Sequence, residues 1–318
     1  MDNFCFMIKS YDLDFDYCQR LVESINEYNY DKIHTYIVVE GIYEKQFQQL
    51  ANSEISIICL EEIPERFVKT EFDNISAGYI NQEIAKLSFW KLNLARNYLC
   101  LDSDCKFLRP FYKSDFMYND NVPYTFLTED RALQADPNYY ATHWVSRKRS
   151  LELILEVLEF SPNFLMTCHG MQVMSSSVLE HFETNFLQQR KLEIRNILEI
   201  SPYEFSWYNF WLQKNFQDNL RIREPNFLTI HSEQMELVLR LQNVSESDIA
   251  RGYVGVVWNS NYSRGFGVVD GADRRTSSLA RLVTFKEIFA VLAKRVKLGF
   301  KIKISRLIKS LILNQTDC

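Results

Sequence analysis

Residues 97–111 of this chain read NYLCLDSDCKFLRPF. The apolar run Tyr98–Leu101 predicts a short buried strand, which delivers Asp102 and Asp104 where the chain starts to turn. Residues two apart in an extended segment point the same way, so we expect the two carboxylates to converge on one point. Adjacent carboxylates repel each other unless a cation neutralises them, and their oxygens suit Mn²⁺ or Mg²⁺. The stretch therefore predicts a divalent-cation site, with an ordinary acidic loop as the alternative.

The segments around this stretch alternate between strand-like and helix-like patterns. The predicted strands are Phe4–Ile8, Lys32–Glu40, Ile55–Leu60, Tyr98–Leu101, Tyr124–Leu127, Gln172–Met174 and Phe227–His231. The predicted helices are Asp14–Tyr28, Gly78–Leu92, Ser176–Phe186 and Ser206–Phe216. This alternation predicts βαβ units in an α/β fold with a mostly parallel central sheet, whose ligands collect at the carboxyl ends of the strands. We expect one such domain over residues 1–280 and a separate segment over residues 281–318.

The overall composition is that of a globular protein. With 318 residues, of which 47% are hydrophobic and 14% aromatic, the chain can bury a substantial core. Its net charge of −5 does not favour binding to nucleic acid. No run of 18 uncharged apolar residues is present, and the opening MDNFCFMIKS lacks the basic stretch of a signal peptide. We therefore expect a cytoplasmic location and no nucleic-acid partner.

The cysteines form no CxxC pair and no framework spacing. They are Cys5, Cys18, Cys59, Cys100, Cys105, Cys168 and Cys318. Because several lie in apolar runs, we expect buried free thiols in a reducing compartment rather than disulfides or a zinc site.

Three further pieces of sequence accompany the aspartate stretch. They are GYINQEIAKL at residues 78–87, FLRPF at residues 107–111 and SPYEF at residues 201–205. Together with YLCLDSD at residues 98–104, they make the chain resemble glycosyltransferases of the GT-A type over residues 1–235. It is similar in particular to a bacterial family of uncharacterised glycosyltransferase-like proteins linked to surface polysaccharide synthesis. The resemblance implies a Rossmann-like GT-A fold, a nucleotide-diphosphate sugar as donor, a divalent cation, and transfer to a sugar hydroxyl of a glycan or lipid-linked acceptor.

Five residues are candidates for contacts with the donor. Lys86 lies on the helix before the aspartate strand, where its ammonium could meet the pyrophosphate; a surface lysine is the alternative. Gln82, one turn earlier on the same face, is a candidate for binding the nucleotide or its ribose. The alternative is a glutamine side chain that is simply solvated. The resemblance places the nucleotide base near Ser10 and Tyr11, where a plain turn is the other interpretation. Ser103, between the two aspartates, is assigned to the donor site with them.

The catalytic candidates come from the second half of the chain. An inverting transfer needs a carboxylate that takes the proton of the acceptor hydroxyl. The resemblance puts Glu204 near the acceptor, with Asp130 as the rival base, although Glu204 also suits the dipole of the helix that follows it. By the same resemblance His231, at a strand end, is predicted as a third metal ligand. Arg264 lies in a loop-forming segment and is predicted to reach the pyrophosphate of the donor. For His231 and Arg264 alike, the alternative is an ordinary surface residue.

The C-terminal stretch Phe285–Leu313 has apolar residues at steps of three or four. Between Lys286 and Lys309 it has eight basic residues and one acid, a charge of +7 against −5 for the whole chain. Such a basic amphipathic helix predicts peripheral attachment to an anionic membrane surface, here the inner face of the cell membrane. The alternative is a helix packed on its own domain with its lysines in water.

Two other functions are left open by the sequence. A phosphotransferase or a HAD-like phosphatase also uses an Asp-x-Asp motif, but its motif normally follows the first strand rather than the fourth. A non-catalytic glycan-binding module on a transferase fold is the second alternative, and the presence of both carboxylates argues against it.

Overall fold

The structure is a computed structural model, and it describes most of the first 258 residues. The described ranges are 2–69, 76–127, 137–162, 171–230 and 233–258, with isolated helical positions at 293 and 296; the side chains of 137–147, 233 and 234 are not included. Of the predicted site residues, Asp130, His231 and Arg264 lie outside these ranges. The segment 281–318 also lies outside them, apart from the two isolated positions.

A five-stranded sheet forms the centre of the fold. The described strands are β1 (Asp2–Lys9), β2 (Thr35–Val39), β3 (Ile55–Cys59), β4 (Ala95–Asp102), β5 (Cys105–Phe107), β6 (Thr125–Phe126), β7 (Met171–Ser175), β8 (Ile222–Arg223), β9 (Phe227–Ile230) and β10 (Gly255–Trp258). The central sheet has the order β3-β2-β1-β4-β7, in which β7 alone is antiparallel to its neighbour. The predicted α/β fold with a mostly parallel central sheet is confirmed.

Helices connect and cover these strands. The described α-helices are α1 (Phe15–Tyr28), α2 (Glu44–Phe47), α3 (Ala77–Ser88), α4 (Pro137–Leu158), α5 (Ser176–Phe182), α6 (Gln188–Arg190), α7 (Ile194–Ile200), α8 (Glu204–Asn215), α9 (Glu233–Leu241) and α10 (Glu246–Ala250). Short 3-10 helices lie at Asp12–Asp14, Gly41–Tyr43, Gln48–Leu50, Leu60–Glu62, Phe89–Leu92, Lys113–Asp115 and Gln217–Asn219. Among the described helices, none has both the length and the hydropathy needed to cross a bilayer.

Two predicted helices differ from the observed ones at their C-terminal ends. The predicted helix Gly78–Leu92 is α-helical only to Ser88, after which the chain tightens into a 3-10 turn. The predicted helix Ser176–Phe186 is α-helical to Phe182 and then widens into a π-helical turn. In both cases the apolar spacing persists while the backbone hydrogen bonds change, so spacing alone places the boundary too late.

One face of the sheet packs against α1 and a cluster of phenylalanines. The Phe6 ring of β1 lies 5.7 Å from Phe107, 5.6 Å from Phe111 and 5.5 Å from Phe116, centroid to centroid. All four rings are buried, and such ring pairs add stability beyond their buried area. The three partners of Phe6 follow Asp104 closely in the chain. The cluster therefore anchors the segment that leaves the aspartate turn.

The opposite face packs against α3 and α8. The Tyr98 hydroxyl of β4 donates to the Lys86 carbonyl oxygen of α3 at 2.7 Å, and the Ser175 amide of β7 donates to the Tyr208 hydroxyl of α8 at 2.9 Å. Every residue of α8 from Glu204 to Gln213 is buried. A helix surrounded on all sides shows no amphipathic stripe, which is why this helix mixes aromatic and polar residues without periodicity.

Five of the cysteines lie in the described ranges, and all five are free thiols. Cys5, Cys18, Cys100 and Cys105 are buried and Cys59 is partly exposed. For these positions the prediction of free, mostly buried thiols is confirmed.

A smaller sheet, β5-β10-β9, holds the far side of the aspartate turn. Strand β10 pairs antiparallel with β5 and parallel with β9, and the Trp258 amide donates to the Asp104 carbonyl oxygen at 3.1 Å. A second apolar cluster, Ile230, Ile249, Val256 and Trp258, supports this sheet. The turn is thus fixed on one side by β1 and β4 and on the other by β10.

We predict that Gly255→Ala destabilises the protein. A Cβ atom at Gly255 would overlap the Phe227 ring and lie 2.6 Å from the Lys106 carbonyl oxygen, so the β5-β10-β9 sheet would have to shift. We expect a loss of about 1–3 kcal/mol in the free energy of unfolding, measured by urea denaturation. Gly252→Ala is the matched control, because a Cβ atom there meets nothing within 4 Å. Equal stability of the two variants would contradict this packing argument.

Candidate functional site

The strand order places a crevice between β1 and β4. The chain moves outward from β1 to β2 and β3, and then returns to the other side of β1 with β4. In α/β sheets, ligands bind outside the carboxyl ends of the strands at the point where this direction reverses. Strand β1 ends at Lys9 and β4 ends at Asp102, and these two residues are register partners. The ends of these two strands therefore flank the predicted crevice. We call this edge of the sheet the carboxyl edge.

The aspartate stretch forms a turn at this edge. Strand β4 ends at Asp102, Ser103 and Asp104 form a tight turn, and β5 begins at Cys105. The expectation that one extended segment contains both Asp102 and Asp104 is wrong, because β4 ends at Asp102, two residues before Asp104. The orientation of the two carboxylates is set by the turn and not by strand alternation.

Ser103 ties this turn to the end of β1. Its buried hydroxyl lies 3.2 Å from the Lys9 carbonyl oxygen, to which it can donate, and 3.0 Å from the Ser10 hydroxyl. Ser10 is also buried. Ser10 and Ser103, both predicted to contact the donor, thus contact each other. Tyr11 follows directly and is partly exposed.

Asp102 receives two donors from α3. Its Oδ1 atom lies 3.1 Å from the Lys86 ammonium and 3.1 Å from Gln82 Nε2. Gln82 and Lys86 are one helical turn apart, so they present their side chains on the same face of α3. The Asp102 side chain retains 30% of its exposure, whereas Lys86 retains 3%. The structure therefore brings both predicted donor-site residues of α3 to the first aspartate, where they orient its carboxylate.

Lys86 is enclosed by carboxylates. Its ammonium lies 2.9 Å from Glu204 Oε1 and 3.5 Å from Glu83 Oε2, in addition to Asp102. It also lies 4.9 Å from the centre of the Phe205 ring, a cation–π contact. Burial lowers the pKa of Lys86, but the neighbouring carboxylates outweigh burial and hold that pKa well above its usual value. Lys86 is thus a permanently charged residue with its charge already paired.

Glu83 and Glu204 are hydrogen-bonded to each other beside Lys86. Burial, with the nearby Glu204 charge, raises the pKa of Glu83 well above its usual value, which favours the neutral acid as the hydrogen-bond donor. Burial also raises the pKa of Glu204, but Lys86 and the hydrogen bonds from Glu83 and Lys86 reverse the effect, and its pKa lies below the usual value. The pKa values of the two glutamates are therefore shifted in opposite directions, which favours a neutral Glu83 beside an ionised Glu204.

Glu83 was not among the candidates from sequence, although a signal for it exists. It lies three residues after Ile80 and four before Leu87, on the buried stripe of α3. Because a buried charge without a partner is costly, a glutamate in an apolar stripe is expected to be protonated or paired with a cation. Such a position therefore indicates a buried polar network.

A second lysine lies at the same edge and was also missed. The Lys9 side chain is largely buried, and its ammonium donates to the Ser10 carbonyl oxygen at 2.7 Å. Burial lowers the pKa of Lys9 to about 8, against the opposing influence of Glu40, Glu61 and Asp14. As the last residue of a hydrophobic strand, Lys9 looks from sequence like an ordinary strand end.

The described residues offer two carboxylates for a cation. Asp102 and Asp104 lie at the two ends of the Asp102–Asp104 segment, and among the residues the structure describes no group of three or more His, Cys, Asp or Glu side chains is arranged to hold a metal ion. Mg²⁺ in enzymes is commonly held by one or two carboxylates, with substrate phosphates and water completing its shell. The donor set therefore fits a cation that arrives with a phosphorylated substrate. The predicted third ligand, His231, lies outside the described residues and stays a prediction.

Comparison with protein families gives one match. Residues 5–235 match the family model DUF6492, described as a family of unknown function. A search among curated proteins gives no match.

Comparison with solved structures gives similar folds at low identity. Apo mouse xyloside xylosyltransferase 1 is 9% identical with a TM-score of 0.42, over 81% of this chain and 98% of that chain. An active-site mutant of LgtC is 13% identical with a TM-score of 0.48, over 90% of this chain and 98% of that chain. The galactosyltransferase LgtC with donor and acceptor sugar analogs is 12% identical with a TM-score of 0.46, at the same coverage. With sequence identities and TM-scores this low, the likeness assigns neither a substrate nor a role for any residue to this chain.

We predict opposite effects of two glutamate-to-glutamine changes on stability. At pH 7 the wild type keeps Glu83 protonated although an unfolded glutamate would ionise, so Glu83→Gln should be the more stable protein. Its advantage should shrink as the pH falls towards about 4.5, by up to about 1.4 kcal/mol per pH unit. Glu204→Gln should be less stable at pH 7, because it removes the charge paired with Lys86, and its deficit should shrink in acid.

Urea denaturation between about pH 3 and about pH 8, with a metal chelator present, measures both differences, because the change for Glu204→Gln falls below the ordinary glutamate pKa of about 4.5. The two variants are matched controls for each other, since each replaces one carboxyl group of the same cluster by an amide. A loss of stability in Glu83→Gln that grows with pH would contradict the neutral state of Glu83.

Proposed function

The chain belongs to DUF6492, a family of unknown function, and we propose that it is a glycosyltransferase of the GT-A type that uses a nucleotide-diphosphate sugar as donor. The observation behind this proposal is the Asp102-Ser103-Asp104 turn, held by Ser103 at the crevice between β1 and β4. The sequence resemblance to GT-A glycosyltransferases points in the same direction. A phosphorylated donor with its cation is the ligand that two adjacent carboxylates at this edge fit best.

In this proposal Asp102 and Asp104 hold Mn²⁺ or Mg²⁺ together with the donor diphosphate. The cation would supply positive charge that stabilises the departing nucleoside diphosphate. Gln82 and Lys86 hold the Asp102 carboxylate in one orientation by bonds to the same oxygen. Because all of these groups lie on α3 or the end of β4, the first aspartate is oriented before any ligand binds, which lowers the cost of binding.

We assign Glu204 a positioning role, in place of the predicted role of general base. A base works best when its pKa lies near the working pH, and the pKa of Glu204 lies below that of an ordinary glutamate. Its carboxylate is nearly buried and is paired with Lys86. Glu204 therefore acts through Lys86 on Asp102. The rival base, Asp130, lies outside the described residues and remains the candidate for proton removal.

The acceptor side of the proposal rests on sequence alone. The +7 charge between Lys286 and Lys309, with apolar residues at helical spacing, supports peripheral binding to an anionic membrane at the inner face of the cell membrane. A glycan or lipid-linked acceptor of surface polysaccharide synthesis would be presented there.

We predict that Asp104→Asn lowers turnover at least about 100-fold while the protein stays folded, because it removes a metal charge at an edge and no core volume. Asp102→Asn should behave similarly or somewhat less severely. Asp120→Asn is the control, an exposed aspartate paired with Lys113 away from the site. The donor is first found by a thermal-shift screen of nucleotide-diphosphate sugars with and without Mn²⁺, and turnover is then followed by mass spectrometry of the released nucleotide.

The outcomes of this experiment separate the candidate functions. Release of nucleotide that depends on Mn²⁺ and on Asp104 supports the glycosyltransferase. Full activity of both aspartate variants at saturating donor contradicts the metal site. Donor binding without turnover, even with acceptor sugars present, favours the non-catalytic glycan-binding module, and hydrolysis of simple phosphate esters favours the phosphatase.

We predict that deletion of residues 285–318 leaves a folded enzyme that no longer sediments with anionic liposomes. The intact chain should bind such liposomes less well at high salt, because the Debye length falls from about 10 Å at 0.1 M to about 3 Å at 1 M. Transfer to a short soluble acceptor should persist in the truncated protein. Aggregation of the truncated protein, together with an intact protein that ignores liposomes at every salt concentration, would instead indicate a helix packed on its own domain.

A further inference from the structure

We propose that Lys9 is the lysine that binds the diphosphate of the donor, the role that the sequence suggests for Lys86. This inference rests on the proposed function, since it assigns a further binding residue to the same site. Lys9 has the position that such a role requires and hydrogen-bonding capacity to spare, and it has no ion-pair partner in the part of the chain that the structure describes. Lys86, by contrast, is already paired with three acidic side chains.

The position of Lys9 is fixed relative to the aspartate turn. Lys9 and Asp102 are register partners on adjacent parallel strands, which lie about 4.8 Å apart, and such partners point to the same face of the sheet. The Ser103 hydroxyl, which can donate to the Lys9 carbonyl oxygen, holds the turn against the end of β1. A ligand in the crevice beside Asp102 is therefore within reach of the Lys9 side chain.

The ammonium group of Lys9 has bonding capacity left over. A lysine ammonium has three donors, and the hydrogen bond to the Ser10 carbonyl oxygen occupies one of them. Among the residues the structure describes, no carboxylate lies within ion-pair distance of Lys9. Lys86, by contrast, has carboxylates of Glu83, Asp102 and Glu204 within 3.5 Å. An anion that approached Lys86 would have to displace one of these partners.

Burying a cation without a paired anion costs free energy, so the position of Lys9 needs a compensating interaction. Glu40, Glu61 and Asp14 surround Lys9 at longer range, and they do not offset its burial fully, since the pKa of Lys9 stays at about 8. Glu40 follows β2, and Glu61 lies in the turn after β3. Glu40 and Glu61 therefore lie on the side of β2 and β3, whereas Asp14 ends the 3-10 helix that follows β1. A diphosphate would approach Lys9 from the β4 side, where the cation held by Asp102 would offset its negative charge.

The test compares binding of nucleoside diphosphates and of the matching nucleosides by isothermal titration calorimetry in the presence of Mn²⁺. The probes are uridine, guanosine, cytidine and adenosine diphosphates, each with its nucleoside. Lys9→Met should weaken binding of the diphosphate by about 10- to 100-fold, as expected for loss of a charged hydrogen bond, with little change for the nucleoside. Lys9→Arg should recover part of the loss. Lys91→Met is the matched control, because Lys91 is also largely buried but is paired with Glu65 and Glu183.

A second measurement uses the wild-type protein, so that it does not depend on the folding of the variants. Acetylation of Lys9, followed by mass spectrometry, should slow in the presence of the diphosphate and Mn²⁺ and should not slow with the nucleoside. Unchanged diphosphate affinity in Lys9→Met, or equal protection by the nucleoside, would overturn the inference while leaving the proposed function in place. Absence of binding of every nucleotide to the wild type would overturn the proposed function, and this inference with it.

Discussion

The ammonium group of Lys86 lies buried among three carboxylates that reach it from three elements, with Glu83 on its own helix α3, Asp102 at the end of β4 and Glu204 at the start of α8. Removing Lys86 would leave the buried Glu204 carboxylate without its cation, which is among the costlier changes a fold can undergo. The helices α3 and α8 and the strand β4 are therefore held together at the carboxyl edge. The geometry of the candidate site follows from this arrangement.

Much of the fold could be predicted from the sequence because its signals are local. Short apolar runs gave β1 to β4, and the 3.6-residue spacing gave α1 and α3. The aspartate stretch was recognisable because a buried strand ends directly before two carboxylates. Boundaries were less certain, since a 3-10 or π-helical turn preserves apolar spacing while changing the hydrogen bonds, as at Ser88 and Phe182.

The partners within the site could not be predicted, because they are distant in the chain. Lys86 and Glu204 are 118 residues apart, and nothing in either segment indicates that they meet. The sequence suggested Lys86 for the pyrophosphate, and the resemblance suggested Glu204 for the acceptor proton. The structure instead places the two side chains against each other in the interior. The distinction between a lysine that is already paired and one that is not, as between Lys86 and Lys9, depends on contacts that arise only on folding.

The charge state of Glu83 decides how much negative charge the edge presents. If Glu83 were ionised, three carboxylates would surround one ammonium, and like-charge repulsion would act on Asp102 as well as on Glu204. The raised pKa of Glu83 favours its neutral form, so Lys86 is shared mainly by Glu204 at 2.9 Å and Asp102 at 3.1 Å. Asp102 is therefore held in place by Lys86 while its side chain stays 30% exposed, which leaves it open to a divalent cation at the turn.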